Sequence, residues 1–182
     1  MSIDFTQSRW DDVRETFDKW WNHELKRPIL QLAGPARDPG RAAPRLAANA
    51  FLPNFGTAAP EDVVDVWDYQ LSRQTYLADG FPGVWVNCGP GVLATFIGGE
   101  LKAAEDTVWF TPGDMPDDPA ELHLDKFNPE SYWFKRIAAV KKAAVEHWQG
   151  AVQVGMTDLG GNLDVLSTFR PSEKLLFDLY DH

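Results

Sequence analysis

The sequence predicts an α/β fold in which helices flank a largely parallel sheet. Two apolar segments, residues 84–86 and 152–156, have the composition of buried strands, and each runs into a polar, glycine-rich turn. Apolar residues recur at helical spacing before, between and after these two segments. Alternation of strands and helices is typical of parallel sheets, because a crossover helix connects neighbouring parallel strands.

The elements expected in the first half of the chain begin with a helix that precedes the first strand. Apolar residues three and four positions apart indicate the helices, and proline and glycine mark the ends. In order, we expect a helix over residues 8–25 with Ser8 as its N-cap, a strand over 29–33, a loop over 34–45, an irregular segment over 46–59 and a helix over 60–78.

The second half begins with the strand at residues 84–86 and the turn Asn87-Cys88-Gly89-Pro90-Gly91. The same criteria then predict a short helix over 91–98, a strand over 107–110, a loop over 111–119, a helix over 131–147, a strand over 152–156 and two helices over 162–169 and 174–180.

Composition and charge exclude several classes of protein. The chain has 182 residues, which suffices for one domain with a core, and its formal net charge of -10 argues against nucleic-acid binding and against contact with anionic membranes. A single cysteine, Cys88, excludes an internal disulfide and a multi-cysteine zinc site, and it fits a reducing compartment. No signal pattern and no apolar run of about 20 residues is present, so we expect a cytoplasmic protein.

Three segments, residues 24–34, 81–100 and 154–180, resemble the N-terminal half of the uroporphyrinogen decarboxylase superfamily. The most specific parts are Arg27-Pro28 before the first strand, the turn at 87–91 and the closing sequence KLLFDLY at 174–180. The resemblance implies a (β/α)8 (TIM-type) barrel with its site at the carboxyl ends of the strands. A full barrel needs about 250 residues, so the implied fold here is a partial barrel.

The same resemblance implies an enzyme that acts on a small organic molecule by decarboxylation or by methyl transfer, the latter with a corrinoid as a possible cofactor. It places Arg37 in the loop where the family binds substrate carboxylates, and Asn87 where the family has an aspartate. An amide contacts a substrate by hydrogen bonds rather than by charge. The metal ligands of the family's methyltransferases come largely from its other half, so we expect no metal here.

The candidate catalytic residues are Asp158 and Asn87, which follow the two predicted strands, and Asp158 could act as a general base. Each could instead bond the backbone of its own turn. The candidate substrate-binding residues are Arg37, Trp85, Trp109, Asn162 and Asp164. Their alternatives are a solvated loop charge for Arg37, core packing for the tryptophans and helix capping for Asn162.

Other reactive residue types are less informative. Cys88 is interpreted as a small buried hydrophobic residue, and the histidines form no ligand pattern. The acidic pair at residues 105 and 106 is expected to be solvated. The alternative to an enzyme is a non-catalytic half-barrel that pairs with itself, as a homodimer, or with a chain that supplies the missing C-terminal half. Uncovered strand edges favour such association.

Overall fold

The computed structural model describes residues 3–34, 36–46, 55–104, 107–112, 118–121, 124 and 126–181, and the chain divides into two compact units. The first unit comprises residues 1–48, 59–84 and 142–155, and the second comprises residues 49–58, 85–141 and 156–182. The expected acidic pair at 105–106 and residues 113–117 of the loop predicted over 111–119 lie outside the described residues. His123 and His182 lie outside them as well.

The regular elements have the following bounds. The α-helices are α1 (Gln7–Trp21), α2 (Pro60–Ser72), α3 (Tyr132–Trp148), α4 (Asn162–Phe169) and α5 (Ser172–Asp181). The strands are β1 (Gln31–Ala33), β2 (Tyr76–Ala78), β3 (Gly83–Val84), β4 (Glu100–Ala103), β5 (Val108–Thr111) and β6 (Gln153–Val154), and short 3-10 helices cover Val92–Phe96 and Pro119–Glu121.

The first unit buries aromatic and aliphatic faces of α1 and α2. The indole Nε1 of Trp10 donates to the carbonyl oxygen of Ala151 at 3.1 Å. The Trp148 side chain is almost fully buried, and its Nε1 donates to Asp68 Oδ1 at 3.0 Å, so a buried donor and a buried acceptor satisfy each other. In this unit β1 pairs with β2 in antiparallel orientation and β3 pairs with β6 in parallel orientation.

The second unit is organised around the antiparallel hairpin of β4 and β5. The 3-10 helix at Val92–Phe96 and the helix α4 pack together through a small cluster of Ala94, Val165 and Phe169. Ser131 Oγ donates to the carbonyl oxygen of Thr95 at 2.8 Å, which ties the start of α3 to the end of that 3-10 helix.

The structure contradicts the predicted partial (β/α)8 barrel. Each sheet in the described residues has two strands, and the parallel pairing is confined to β3 and β6, whose register joins Gly83 to Gln153 and Val84 to Val154. A barrel requires a crossover helix between successive parallel strands. Here β4 returns directly as antiparallel β5, so the chain between the two apolar segments forms a hairpin where a barrel would continue its parallel sheet.

Several element boundaries also differ from expectation. The helix expected over 60–78 ends at Ser72, because residues 76–78 pair with β1 as β2, and tertiary pairing overrides the helical spacing. The helix expected over 8–25 ends at Trp21, and its N-cap is Thr6, whose side chain accepts from Arg9 N, rather than Ser8. Trp20 and Trp21, at the end of α1, are exposed and stack on each other.

Candidate functional site at two paired loops

The turns that follow the two apolar segments lie against each other in the second unit. The strands β3 and β6 end at Val84 and Val154, two residues before the predicted ends at 86 and 156, and we call residues 85–91 and 156–161 the paired loops. Thr157 Oγ1 donates to the carbonyl oxygen of Val86 at 2.7 Å, and both residues are buried. At Gly160, which has φ +66°, an added Cβ would lie 2.2 Å from the carbonyl oxygen of Pro90. Only glycine permits so close a backbone approach, so Gly160 sets the spacing of the two loops.

Asn87 and Asp158 occupy equivalent positions in the paired loops and make the same local hydrogen bond. Asn87 Oδ1 accepts from Gly89 N at 2.9 Å, and Asp158 Oδ1 accepts from Gly160 N at 2.7 Å. Each is an Asx turn, in which the side chain takes the place of a backbone turn. The predicted alternative, a bond from each side chain to the backbone of its own turn, therefore accounts for one oxygen of each side chain. Asn87 keeps its amide nitrogen and Asp158 keeps its second carboxylate oxygen for other partners.

The glycines of the first loop allow it to pack on strand β5. At Gly89, which has φ +90°, a Cβ would lie 2.4 Å from Val108 Cγ2, and at Gly91 it would lie 2.6 Å from Phe110 Cδ2. These contacts explain why the turn has the pattern Asn-Cys-Gly-Pro-Gly. The pattern is required by local packing whether or not the loop binds a ligand.

Cys88 is buried in the first loop, as the sequence predicted. Burial raises the pKa of the Cys88 thiol to about 12, and the nearby positive charge of Arg136 opposes this only in part. A thiol in that state is a poor nucleophile, because the thiolate is the reactive form. The Arg136 guanidinium lies over the Phe55 ring, and its Nε donates to the Phe55 carbonyl oxygen at 2.5 Å.

Asn162 and Asp164 lie in the first turn of α4, immediately after the second loop. The N-cap of α4 is Gly161, so Asn162 does not have the N-capping role that was considered for it. Both side chains are exposed. The Asp164 carboxylate approaches Gly161, where an added Cβ would lie 3.4 Å from its Oδ2. Asn162 and Asp164 therefore follow Asp158 in the sequence and belong to the turn that opens α4.

Trp85 and Trp109 are both exposed, and both belong to the second unit. Trp85 is the first residue of the first loop, whereas Trp109 lies on β5 opposite Lys102. Their exposure contradicts the core packing considered for them, and the substrate-binding role stays a prediction.

Arg37 belongs to the first unit, whereas the other six candidate residues belong to the second. Its backbone nitrogen donates to the Arg73 carbonyl oxygen at 2.8 Å, and its Nη1 lies 3.4 Å from Asp4 Oδ2. This arrangement gives Arg37 a structural partner at the start of the chain.

Arg27, half of the Arg-Pro motif, forms a bidentate ion pair with Asp79 in the first unit. Arg27 Nη1 and Nη2 donate to the two carboxylate oxygens at 2.5 and 2.7 Å, and Leu30 N donates to Asp79 Oδ2 at 2.9 Å. The hydrogen bond from Arg27 is the main cause that lowers the pKa of the buried Asp79 carboxyl to about 2; burial alone would raise it. The motif therefore holds β1 and the end of β2 together.

Sequence reasoning missed Thr157 and Gly160, which join the two loops. Their signal was present only as the pattern Thr-Asp-Leu-Gly-Gly, which indicates a turn but not its neighbour. The paired loops contain no histidine, the commonest protein ligand for a transition metal, and two of their polar side chains bond their own backbone. The paired loops therefore supply no imidazole ligand to the cobalt of a corrinoid.

Comparison of the chain with protein-family models, with curated proteins and with solved structures finds no match in any of the three. Within the part of the chain that the structure describes, no three His, Cys, Asp or Glu side chains are grouped as a metal site would require. No described helix is both long enough and apolar enough to cross a membrane.

Proposed function

We propose that this chain is a uroporphyrinogen-decarboxylase-like protein whose paired loops bind a small organic molecule, in a lineage of decarboxylases or methyltransferases. We infer the lineage from the resemblance of residues 24–34, 81–100 and 154–180, and we infer the location of the binding site from the paired loops. A single cysteine and the acidic composition favour a cytoplasmic location.

The observation that carries the proposal is the matched pair of Asx turns after two strands that run in parallel. β3 and β6 are parallel, so the two segments that follow these strands leave them in the same direction and then form the paired loops. Ligands of α/β proteins bind beyond the carboxyl ends of such strands. The Nδ2 group of Asn87 is a donor and Oδ2 of Asp158 is an acceptor, which suits a neutral polar group with both kinds of partner.

The binding test compares three forms of the full chain: wild type, Asp158→Asn and Asp158→Ala. Asparagine keeps the Oδ1 acceptor for Gly160 N and removes the carboxylate, whereas alanine removes both. With uroporphyrin as the probe at about 100 times its dissociation constant, wild type should gain about 2.7 kcal/mol, which raises Tm by roughly 5 to 10 °C. Asp158→Asn should lose this shift while its Tm without ligand is unchanged.

Two results would count against ligand binding by Asp158. If Asp158→Asn keeps the full shift, the side chain serves only the turn. If wild type shows no shift with uroporphyrin, hydroxocobalamin or a panel of small carboxylic acids, the proposed small-molecule site is wrong.

A second candidate function is association with another protein chain, without catalysis. The observation that favours it is the last helix, α5, where Leu176, Phe177, Leu179 and Tyr180 are all exposed. Soluble monomers seldom expose several large apolar side chains on one helix, and such patches mark interaction sites.

A further inference from the structure

The second unit contains an apolar groove between the 3-10 helix at Val92–Phe96, the first part of α3 and the second of the paired loops. Its volume is about 360 Å³. Phe96 and Ile137 are buried at its base, whereas Phe127 and Met156 are exposed at its rim. Leu93, Phe134, Lys141 and Leu159 also line it.

Helix α5 presents an apolar stripe of the kind that fits such a groove. Leu176, Phe177 and Tyr180 are 70%, 59% and 92% exposed, and with Glu173 they occupy positions i, i+3, i+4 and i+7 of the helix. This spacing places all four on one face, which is the pattern of a helix that binds in a groove.

The opposite face of α5 holds the helix in its present position. Arg170 Nε and Nη2 donate to the carboxylate oxygens of Asp178 at 2.8 and 2.7 Å, and both side chains are largely buried. The bidentate pair orients the helix with its apolar stripe toward solvent. A second molecule can bind the exposed stripe while this pair stays intact.

The charges at the two surfaces are complementary. Lys141, at the rim of the groove, has Met156 Sδ as a weak acceptor at 4.0 Å, and no carboxylate of the described residues pairs with it. Glu173 lies on the apolar stripe of α5, is exposed, and has no cationic partner among those same residues. A cation at the rim and an anion on the stripe match in sign and favour one orientation of the helix.

We propose that the apolar stripe of α5 binds in the apolar groove of a second copy of this chain, with Glu173 of one copy against Lys141 of the other. The inference rests on the second candidate function, association, and names its partner. A two-fold axis makes the exchange reciprocal, so each dimer contains two equal helix-in-groove contacts. Reciprocity doubles the buried area of one helix-in-groove contact, and stable interfaces bury about 1,200 Å² or more.

The test is sedimentation equilibrium of the full chain and two single variants. We expect wild type to be a dimer. Phe177→Asp should weaken dimerisation about thirtyfold or more, because a charge replaces an apolar anchor at the centre of the contact. Leu179→Asp is the matched control, since Leu179 lies off the stripe and is 83% exposed; its dissociation constant should stay within about threefold of wild type.

A set of charge-swap variants tests the orientation of α5 in the groove without changing Phe177. This set tests the proposed contact if circular dichroism shows that Phe177→Asp does not fold. Glu173→Lys and Lys141→Glu should each weaken the dimer, and the double variant should restore it to within about threefold of wild type. A dimer that none of these variants weakens would refute the helix-in-groove contact and leave association by another surface. A monomeric wild type at 100 μM chain (about 2 mg/mL) would refute self-association altogether.

Discussion

The bidentate ion pair between Arg27 and the buried Asp79 contributes to the stability of the first unit, and replacing Asp79 by asparagine tests that contribution. Asparagine has almost the same shape and keeps one acceptor. Its amide group, however, presents a donor where the carboxylate accepts from Arg27 or from Leu30 N, which lie 2.7 and 2.9 Å from the two oxygens. The variant therefore removes the charge and misplaces one hydrogen bond in a buried position.

The expected magnitude follows from the pKa of Asp79, which is lowered from its ordinary value of 3.8 to about 2. Each pKa unit corresponds to about 1.4 kcal/mol, so the ionised Asp79 carboxylate, held by Arg27 and by Leu30 N, contributes about 2 kcal/mol to the free energy of unfolding. Because the folded-state pKa is the lower one, this stabilisation is fully present above pH 3.8. It is lost as the pH falls through about 2.

Urea unfolding of wild type and Asp79→Asn at pH 7, 4 and 3 measures this contribution. The variant should be less stable by about 2 kcal/mol at pH 7 and 4, and the difference should narrow at pH 3. The matched control is Asp65→Asn, which breaks the more exposed pair with Arg41 and should cost less than about 1 kcal/mol. Equal losses in the two variants, or a loss at Asp79 that does not narrow at low pH, would refute this reasoning.

Three further predictions concern packing. Gly160→Ala should destabilise the chain by more than about 2 kcal/mol in urea unfolding, because its Cβ would overlap a carbonyl oxygen; Gly150→Ala, also at positive φ but in open space, should cost only about 1 kcal/mol, and equal costs would contradict the close approach. Trp148→Phe should cost about 2 to 4 kcal/mol, since it removes the buried donor to an aspartate, whereas Trp109→Phe at an exposed site should stay within about 0.5 kcal/mol. Cys88 should react with a thiol reagent far more slowly in the folded chain than in urea, because burial raises its pKa to about 12; equal rates would show that the thiol is accessible.

Part of the candidate site could be predicted from local sequence, and part depends on contacts between residues far apart in the sequence. The polar turns after two apolar segments were predictable, because asparagine, aspartate and glycine act on their own backbone within a few residues. The structure places Asn87 and Asp158 in matching Asx turns on neighbouring loops. The contact between the two loops depends on the hydrogen bond from Thr157 and on the absence of a side chain at Gly160. Neither contact could be predicted from the sequence close to these residues.

By itself, the sequence determined where most helices and turns lie and that Cys88 is buried. These features depend on periodicity and on local backbone preferences, which act within about one turn or one strand. The strands predicted over 84–86 and 152–156 are shorter in the structure, at Gly83–Val84 and Gln153–Val154. The tertiary structure alone decided the sheet topology, because strand pairing is a long-range choice among segments of similar composition. Residues 76–78 carry a helical spacing yet pair with β1, and β5 folds back on β4 in antiparallel orientation. Tertiary contacts of this kind override local propensity, and they are why the chain forms three two-stranded sheets instead of the predicted barrel segment in the residues described.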